Sequence, residues 1–142
     1  MQAIYLIKNG KSKEAFEFRD IQITEPKDDE VGVIIEASGI NFADVVARLG
    51  QYQDCPPLPT IVGYEAIGRV EKVGKDITTV KKGDRVLVFT RFGGYSQYVL
   101  QKENAIAKIS EDMDAGKALA LATQYSTAYY ACAVATNVLP NE

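Results

Sequence analysis

Short apolar segments separated by turn signals recur about every ten residues along most of this chain. In one of them, apolar residues alternate with others up to Gly39, which is the period of a half-buried strand. These apolar residues are Val31, Val33, Ile35 and Ala37. Short and regularly spaced strands are typical of barrels and sandwiches, so the sequence predicts a mostly β fold. The other predicted strands are Ile4 to Ile7, Phe16 to Ile23, Tyr64 to Val73, Arg85 to Phe89 and Tyr95 to Leu100.

The pattern changes toward the C-terminus, where helix-forming residues replace the strand-like alternation. Ser110 and Asp112 are possible N-caps, and a helix is predicted over Ala115 to Leu121. A second helix is predicted from about Gln124 to Asn137, and one face of it carries small residues that permit close packing. These small residues are Ala128, Ala131, Cys132 and Ala135, and Pro140 ends the predicted helix.

Another short helix is predicted in the stretch that links two of the strands. Its apolar face carries residues at i, i+3, i+4 and i+7, which are Phe42, Val45, Val46 and Leu49. Asn41 is suited to the N-cap and Gly50 to the end of the helix. Asp44 and Arg48 lie on the polar face with the spacing of an i, i+4 ion pair. We therefore expect a row of polar side chains that ends at Tyr52 and forms the wall of a cleft.

The composition excludes several classes of function. The net charge of −3 gives no basic surface for nucleic acid, and no apolar run reaches the roughly 20 residues of a membrane span. The N-terminus lacks the pattern of a signal peptide. We therefore expect a cytoplasmic protein that binds neither nucleic acid nor membrane, with Cys55 and Cys132 as free thiols.

Four motifs carry a family resemblance. They are Gly-x-Asn-x-x-Asp from Gly39, Arg-x-Gly-x-Tyr from Arg48, Gly63-Tyr64-Glu65, and Gly83-Asp84-Arg85-Val86. In this order and spacing they resemble the zinc-free quinone oxidoreductase branch of the medium-chain dehydrogenase/reductase superfamily. The resemblance implies a GroES-like β-barrel over 1–110, and a helical segment over 111–142 that leads into a nucleotide-binding domain.

The nucleotide-binding domain itself is not expected within this sequence. A Gly-x-Gly-x-x-Gly run after a strand is the dinucleotide fingerprint of the Rossmann fold, and no such run occurs here. We therefore interpret the sequence as a catalytic-domain fragment. On this interpretation the fragment alone is inactive, and the formation of a homodimer by the longer protein stays open.

Zinc chemistry is not expected. Zinc-dependent relatives resemble this sequence but carry cysteine at the position of Asn41 and histidine at that of Tyr64, beside the retained Glu65. A catalytic zinc site needs three protein ligands, yet this sequence contains no histidine and its two cysteines lie elsewhere. Glu65 is therefore expected to be a buried, hydrogen-bonded structural carboxylate rather than a catalytic one.

The resemblance implies an NADPH-dependent reductase of quinones or α,β-unsaturated carbonyls. Tyr52 is the candidate hydrogen-bond donor to the oxygen that becomes negative, because a phenol stays protonated at neutral pH. Asn41 is a second catalytic candidate, and Asn41, Asp44 and Thr127 are implied to contact the cofactor. The alternatives are a helix N-cap for Asn41, a tyrosine packed on the proline loop for Tyr52, and a hydroxyl bonded to the previous helical turn for Thr127.

Two other functions stay open at this point. Enoyl-thioester reductases of the superfamily are similar to this sequence at the position of Tyr52, so an acyl thioester is an alternative substrate. Vesicle-associated members of the superfamily are also similar, which leaves a non-enzymatic role as a third reading.

Overall fold

The computed structural model describes residues 1–136, in which eight strands form two sheets and short helices follow or connect them. The strands are β1 Gln2–Leu6, β2 Phe16–Asp20, β3 Glu30–Ser38, β4 Thr60–Ile61, β5 Glu65–Val73, β6 Arg85–Phe89, β7 Tyr98–Lys102 and β8 Ile106–Lys108. The α-helices are α1 Ser12–Ala15, α2 Phe42–Arg48, α3 Ala115–Ala120 and α4 Ser126–Tyr129. A 3-10 turn spans Glu103–Ala105, and π-helical turns span Leu121–Tyr125 and Tyr130–Ala135.

The larger sheet is antiparallel and has the strand order β7-β3-β5-β6-β8. Its apolar side chains alternate as the sequence predicts and form the main core cluster. The fully or nearly fully buried members are Val31, Val33, Val70, Val80, Val86, Val88 and Val99. The predicted mostly β architecture, with a short helix and a helical C-terminal tail, is thereby confirmed.

The smaller sheet has the order β2-β1-β4 and packs its inner face on α2. Leu6, Ala15, Ala47 and Val62 form the buried core between them. The two sheets are joined where Ala3 pairs with Ser96 in an isolated antiparallel bridge. This arrangement sets α2 against the smaller sheet and the first residues of β5, where the polar cluster described below lies.

Two strand boundaries differ from the prediction by three residues, and the others differ by less. The second strand ends at Asp20 rather than Ile23, because its partner β1 begins at Gln2, which pairs with Asp20. The seventh strand begins at Tyr98 rather than Tyr95, because the Ser96 hydroxyl donates to the carbonyls of both Gly93 and Tyr98 and bends the chain. Hydrogen bonds of this local kind compete with the pairing of a strand.

The C-terminal helical region differs more from the prediction. Asp114, and neither Ser110 nor Asp112, is the N-cap, since its Oδ1 accepts the Lys117 N–H at 2.9 Å. One helical stretch over 115–135 replaces the two predicted helices, with α3 and α4 each followed by a π-helical turn. Its first part packs on the larger sheet through a core of Ile67, Leu87, Ala118 and Ala122.

The small residues on the later helix do not pack on the barrel in the described part of the chain. Ala128, Ala131, Cys132 and Ala135 are all exposed there, because the residues packed on the sheet lie one to two turns earlier. The predicted end of this helix at Asn137 and Pro140 lies outside the described residues. Cys55 and Cys132 are free thiols, as expected.

Arg85 fixes the start of the helical stretch. Its buried guanidinium pairs with the Glu36 carboxylate at 3.0 Å. It also donates to three carbonyls in the loop before α3, those of Ser110, Glu111 and Met113, at 3.4, 3.2 and 2.7 Å. This arginine of the Gly-Asp-Arg-Val motif therefore ties β6 to the helix that lines the candidate site. Across residues 1–136, no helix is both long and apolar enough to cross a membrane.

Candidate functional site

Helix α2 presents its polar face to the interior, which reverses the predicted orientation. Asp44 is 4% exposed, whereas Phe42 is 80% exposed and Leu49 is 45% exposed. The reason lies in the donors that surround the Asp44 carboxylate. It accepts the Asn41 N–H at 2.9 Å, the Gly63 N–H at 3.0 Å and the Tyr95 hydroxyl at 3.0 Å. A carboxylate with three donors is stable inside the fold. Of the predicted apolar face, Phe42 and Leu49 are therefore exposed, while Val45 and Val46 are half-buried.

The predicted ion pair between Asp44 and Arg48 does not form in the described structure. The Arg48 guanidinium instead donates to the Gly10 carbonyl, and Asp44 points into the fold. The predicted termini of the helix are confirmed. Asn41 is the N-cap, and Gly50 follows the last helical residues with a φ of +73°, a conformation that favours glycine.

Glu65, at the start of β5, is 0% exposed and fully hydrogen-bonded. Its two carboxylate oxygens accept the Asn41 side-chain amide at 2.8 and 2.9 Å, and the Thr123 hydroxyl donates to it from the C-terminal helix. A Cβ atom at Gly39 would lie 1.8 Å from Glu65 Oε1, so this carboxylate also explains the glycine. The prediction that Glu65 is a buried, hydrogen-bonded carboxylate is confirmed.

A cluster of three aromatic rings lies next to this network. The ring centroids of Tyr52, Tyr64 and Phe92 are 5.9 to 6.3 Å apart, and Tyr52 meets Tyr64 edge to face. The Tyr64 hydroxyl donates to the Tyr52 hydroxyl. Tyr52, like Cys55 and Leu58, packs against the buried core of the smaller sheet and α2, so its ring has a packing role as well as a bonded hydroxyl.

Burial and charge hold two phenols of this region in the neutral form. Burial, followed by the bond to Tyr52, raises the pKa of Tyr64 above its ordinary value. Burial, followed by the nearby Asp44 carboxylate, raises the pKa of Tyr95. Both hydroxyls are therefore protonated, and able to donate, throughout the neutral range.

Tyr64 and Thr127 line the same open cavity, which has a volume of about 320 Å³ and lies between the barrel and the C-terminal helix. Its walls are mostly apolar, and its remaining lining residues are Phe89, Ala122, Thr123, Ser126 and Tyr130. Ser126 donates its hydroxyl to the Leu121 carbonyl in the previous turn at 3.0 Å. The exposed Thr127 makes no such bond within the described residues, so the alternative interpretation given for Thr127 applies to Ser126 instead.

The structure brings the predicted residues together in two groups rather than one. Asn41 and Asp44 are directly bonded, and Tyr52 reaches the cavity of Thr127 through Tyr64. No hydrogen bond joins Tyr52 to Asn41 in the described part of the chain. Asp44 lines a different and larger cavity of about 660 Å³ beside β1 and β2. We take the smaller cavity as the candidate site, because Thr127 and Tyr64, the hydrogen-bond partner of Tyr52, line it.

Three residues of the candidate site were not predicted from the sequence, and these are Tyr64, Thr123 and Gln124. Tyr64 was considered only as the position where relatives carry histidine, although it follows Gly63 and precedes a buried carboxylate. Thr123 and Gln124 contact Glu65 and Asn41 respectively. Neither contact was predictable from helical periodicity, because both residues lie in a π-helical turn that shifts the register.

The donors of a metal site are not assembled in the described structure. The sequence contains no histidine, and residues 1–136 contain no group of three or more Cys, Asp or Glu side chains arranged to hold a metal ion.

Comparisons with known proteins agree with the predicted fold. The sequence matches the alcohol dehydrogenase GroES-like domain over residues 27–111. Quinone oxidoreductase-like protein 2 of Mus musculus is 37% identical over 113 residues, which are 80% of this chain and 32% of that protein. The chain spans about a third of the length of the curated relatives it matches.

Solved structures give the same result. Escherichia coli quinone oxidoreductase complexed with NADPH superposes with a TM-score of 0.91 and 30% identity, over 100% of this chain and 43% of that one. The human synaptic vesicle membrane protein VAT-1 homolog-like protein superposes with a TM-score of 0.86 and 29% identity, over 92% of this chain and 41% of that one. The predicted GroES-like fold is therefore confirmed. The chain belongs to the alcohol dehydrogenase GroES-like domain family, in the quinone oxidoreductase-like part of the medium-chain dehydrogenase/reductase superfamily.

Proposed function

We propose that this chain is the catalytic domain of an NADPH-dependent, zinc-independent reductase of quinones or α,β-unsaturated carbonyls. The observation that carries the proposal is the hydrogen bond between Tyr52 and Tyr64, because Tyr64 lines an apolar cavity together with Thr127. The names of the relatives support an oxidoreductase, and one similar structure holds NADPH. The lack of histidine in the sequence supports a reaction without catalytic zinc.

NADPH, when bound, supplies a hydride to the electrophilic carbon of a quinone or enone. The task left to this domain is to stabilise the oxygen on which negative charge then develops. We assign this task to Tyr52. Because Tyr64 donates to the Tyr52 oxygen, the Tyr52 proton stays available for the substrate. The apolar walls strengthen such a bond by excluding water.

The residues around the cavity fit a nicotinamide. The cavity is open to one side and mostly apolar, with the Thr127 hydroxyl at its wall as a group that can bind a carboxamide. We propose that Thr127 and Asn41 contact the cofactor. Asp44 then acts through Asn41, whose N–H it binds, since the donors named above already occupy its carboxylate.

We propose different roles for the two segments of the chain. Residues 1–110 form the catalytic barrel, and 111–142 connect it to a nucleotide-binding domain that binds most of the NADPH. We expect the 142-residue chain alone to show no NADPH turnover. We place the protein in the cytoplasm, with a homodimer formed outside this domain.

The test is a steady-state assay of this chain joined to a nucleotide-binding domain, either its own or that of the Escherichia coli quinone oxidoreductase. NADPH oxidation is measured with a small quinone, an enone and an enoyl thioester. Turnover of the quinone or enone supports the proposal, whereas turnover of the thioester alone assigns the protein to the enoyl reductases. Cofactor binding without turnover of any of the three substrates contradicts an enzymatic role.

Within this assay, Tyr52→Phe is expected to lower kcat about 100-fold, the typical contribution of a positioned acid. Tyr129→Phe is the matched control, because Tyr129 is an exposed tyrosine of the same chain. If Tyr52→Phe and Tyr129→Phe have equal activity, Tyr52 has no role in catalysis.

A further inference from the structure

The side-chain amide of Asn41 is held on both sides. Its Nδ2 donates to both oxygens of the Glu65 carboxylate, at 2.8 and 2.9 Å. Its Oδ1 accepts the Gln124 Nε2 at 3.0 Å. An amide nitrogen donates and an amide oxygen accepts, so these contacts place Nδ2 on the Glu65 side and Oδ1 on the Gln124 side.

The bonds also fix which way the amide points. In the opposite orientation, Oδ1 of Asn41 would face the Glu65 carboxylate and Nδ2 would face the donor group of Gln124. The contact with Glu65 would then be repulsive, and Glu65, which is 0% exposed, has no solvent to compensate. The contact with Gln124 would be lost unless the Gln124 amide also turned over. A ligand that reaches Asn41 therefore meets an acceptor and binds it with a hydroxyl or N–H donor.

Gln124 is the exposed end of this chain of bonds. It lies in the π-helical turn Leu121–Tyr125, where the adjacent Thr123 donates to Glu65. The same helical stretch continues to Thr127 at the cavity. The helix thus contacts the Asn41–Glu65 pair at two consecutive residues, and its position is coupled to the orientation of the amide.

We propose that Gln124 is a positioning residue, which holds the Asn41 amide with its oxygen available to a hydrogen-bond donor of the ligand. Gln124 does not itself contact the reacting atoms in this proposal. The effect on turnover rests on the proposed function, whereas the effect on the amide can be measured without it.

The first experiment uses the full 142-residue chain and measures, by NMR, the exchange of the Asn41 side-chain amide protons with water. Gln124→Met keeps the shape of the side chain and removes the donor, and we expect it to raise the exchange rate about five-fold, which is the loss of one ordinary hydrogen bond. Gln124→Lys retains a donor and is expected to stay within about two-fold of the wild type. Gln22→Met is the control, because Gln22 is exposed and remote from Asn41. Equal exchange in the wild type and in Gln124→Met would overturn the proposal.

The second experiment measures NADPH oxidation by the same variants joined to a nucleotide-binding domain. We expect Gln124→Met to raise KM for NADPH about five-fold with kcat changed by less than about two-fold, and Gln124→Lys to restore KM. If Gln124→Lys changes KM and kcat as much as Gln124→Met does, Gln124 contributes packing only and the positioning role is wrong. If the wild type itself shows no turnover, the proposed function fails, while the exchange measurement still decides the role of Gln124.

Discussion

Strand β5 and the helical stretch over 115–135 meet at the candidate site, but they differ in how firmly they are built into the protein. At the start of β5, Glu65 and Ala66 are fully buried, and Glu65 has its partners inside the fold. On the helix, Ala118 and Ala122 are fully buried, whereas Tyr129 is 71% exposed. The comparison teaches that the barrel supplies a rigid and fully bonded half of the site. The helix supplies a half that a few contacts hold in place.

The largest effect on this difference is expected from removal of the Glu65 carboxylate, which residues of both the barrel and the helix contact. Glu65→Ala leaves the buried Asn41 amide and the Thr123 hydroxyl without their acceptor, and we expect it to lower the free energy of unfolding by about 3 kcal/mol. Urea denaturation of the chain measures this loss. Glu71→Ala on the same strand removes an exposed partner of Lys82, and a change of less than about 1 kcal/mol is expected. Equal losses in the two variants would show that the Glu65 network is not the rigid part of the site.

Arg85 offers a sharper test, because it joins the two regions. Arg85→Met keeps most of the apolar stem and removes the donors to the carbonyls before α3, at an expected cost of about 2 kcal/mol. Hydrogen exchange should rise first over 115–135 and only later in the barrel. The control is Arg91→Met, which removes an exposed ion pair with Asp54. Uniform exchange across barrel and helix would contradict an independent weakening of the helix.

Alkaline pH should affect the barrel half through Tyr95. Because burial and Asp44 raise the pKa of Tyr95 in the folded state, the unfolded chain loses this proton first, near its ordinary pKa of ~10. The contribution of the Tyr95 proton to the free energy of unfolding is therefore fully present below pH ~10 and is lost as the pH rises above it. The slope from this one group is at most about 1.4 kcal/mol per pH unit.

Unfolding curves of the wild type and Tyr95→Phe, recorded between about pH 8 and pH 11, test this sign. At pH 8 the free energy of unfolding of Tyr95→Phe should be lower than that of the wild type, since the variant loses the bond to Asp44. As the pH rises, it should then fall less steeply. Parallel curves would show that Tyr95 does not contribute to the loss of stability in alkali.

The smallest expected effect concerns the helix cap. Asp114→Ala removes the acceptor of the Lys117 N–H and should cost about 1 kcal/mol. Asp112→Ala, at the position that the sequence suggested, should change the free energy of unfolding by less than about half of that. If Asp112→Ala lowers the free energy of unfolding more than Asp114→Ala does, Asp112 is the N-cap, as predicted from the sequence.

The strands were the most predictable part of this fold. The alternation from Val31 to Ala37 predicted β3 closely, and the limits of β6 agreed at both ends, because half-buried strands repeat every two residues. The burial of Glu65 was also predictable, since a carboxylate beside a buried strand needs partners.

The site was less predictable, because its contacts connect residues that are remote in sequence. The orientation of α2 depends on Gly63 and Tyr95, which lie 19 and 51 positions after Asp44 and supply two of its three donors. Periodicity of the helix alone could not include them. The π-helical turn had the same effect on Thr123 and Gln124, because its register differs from that of an α-helix and it spans the predicted gap between two helices.

The inward carboxylate of Asp44 has a consequence for anyone who redesigns this domain. A hydrophobic-pattern algorithm would replace it with leucine and make the exposed Phe42 polar, which looks like an improvement of the helix. The exchange would leave the N–H groups of Asn41 and Gly63 without their acceptor. Sequence libraries built on this scaffold should therefore hold position 44 constant and take their diversity from the outward face, where side chains are free to vary.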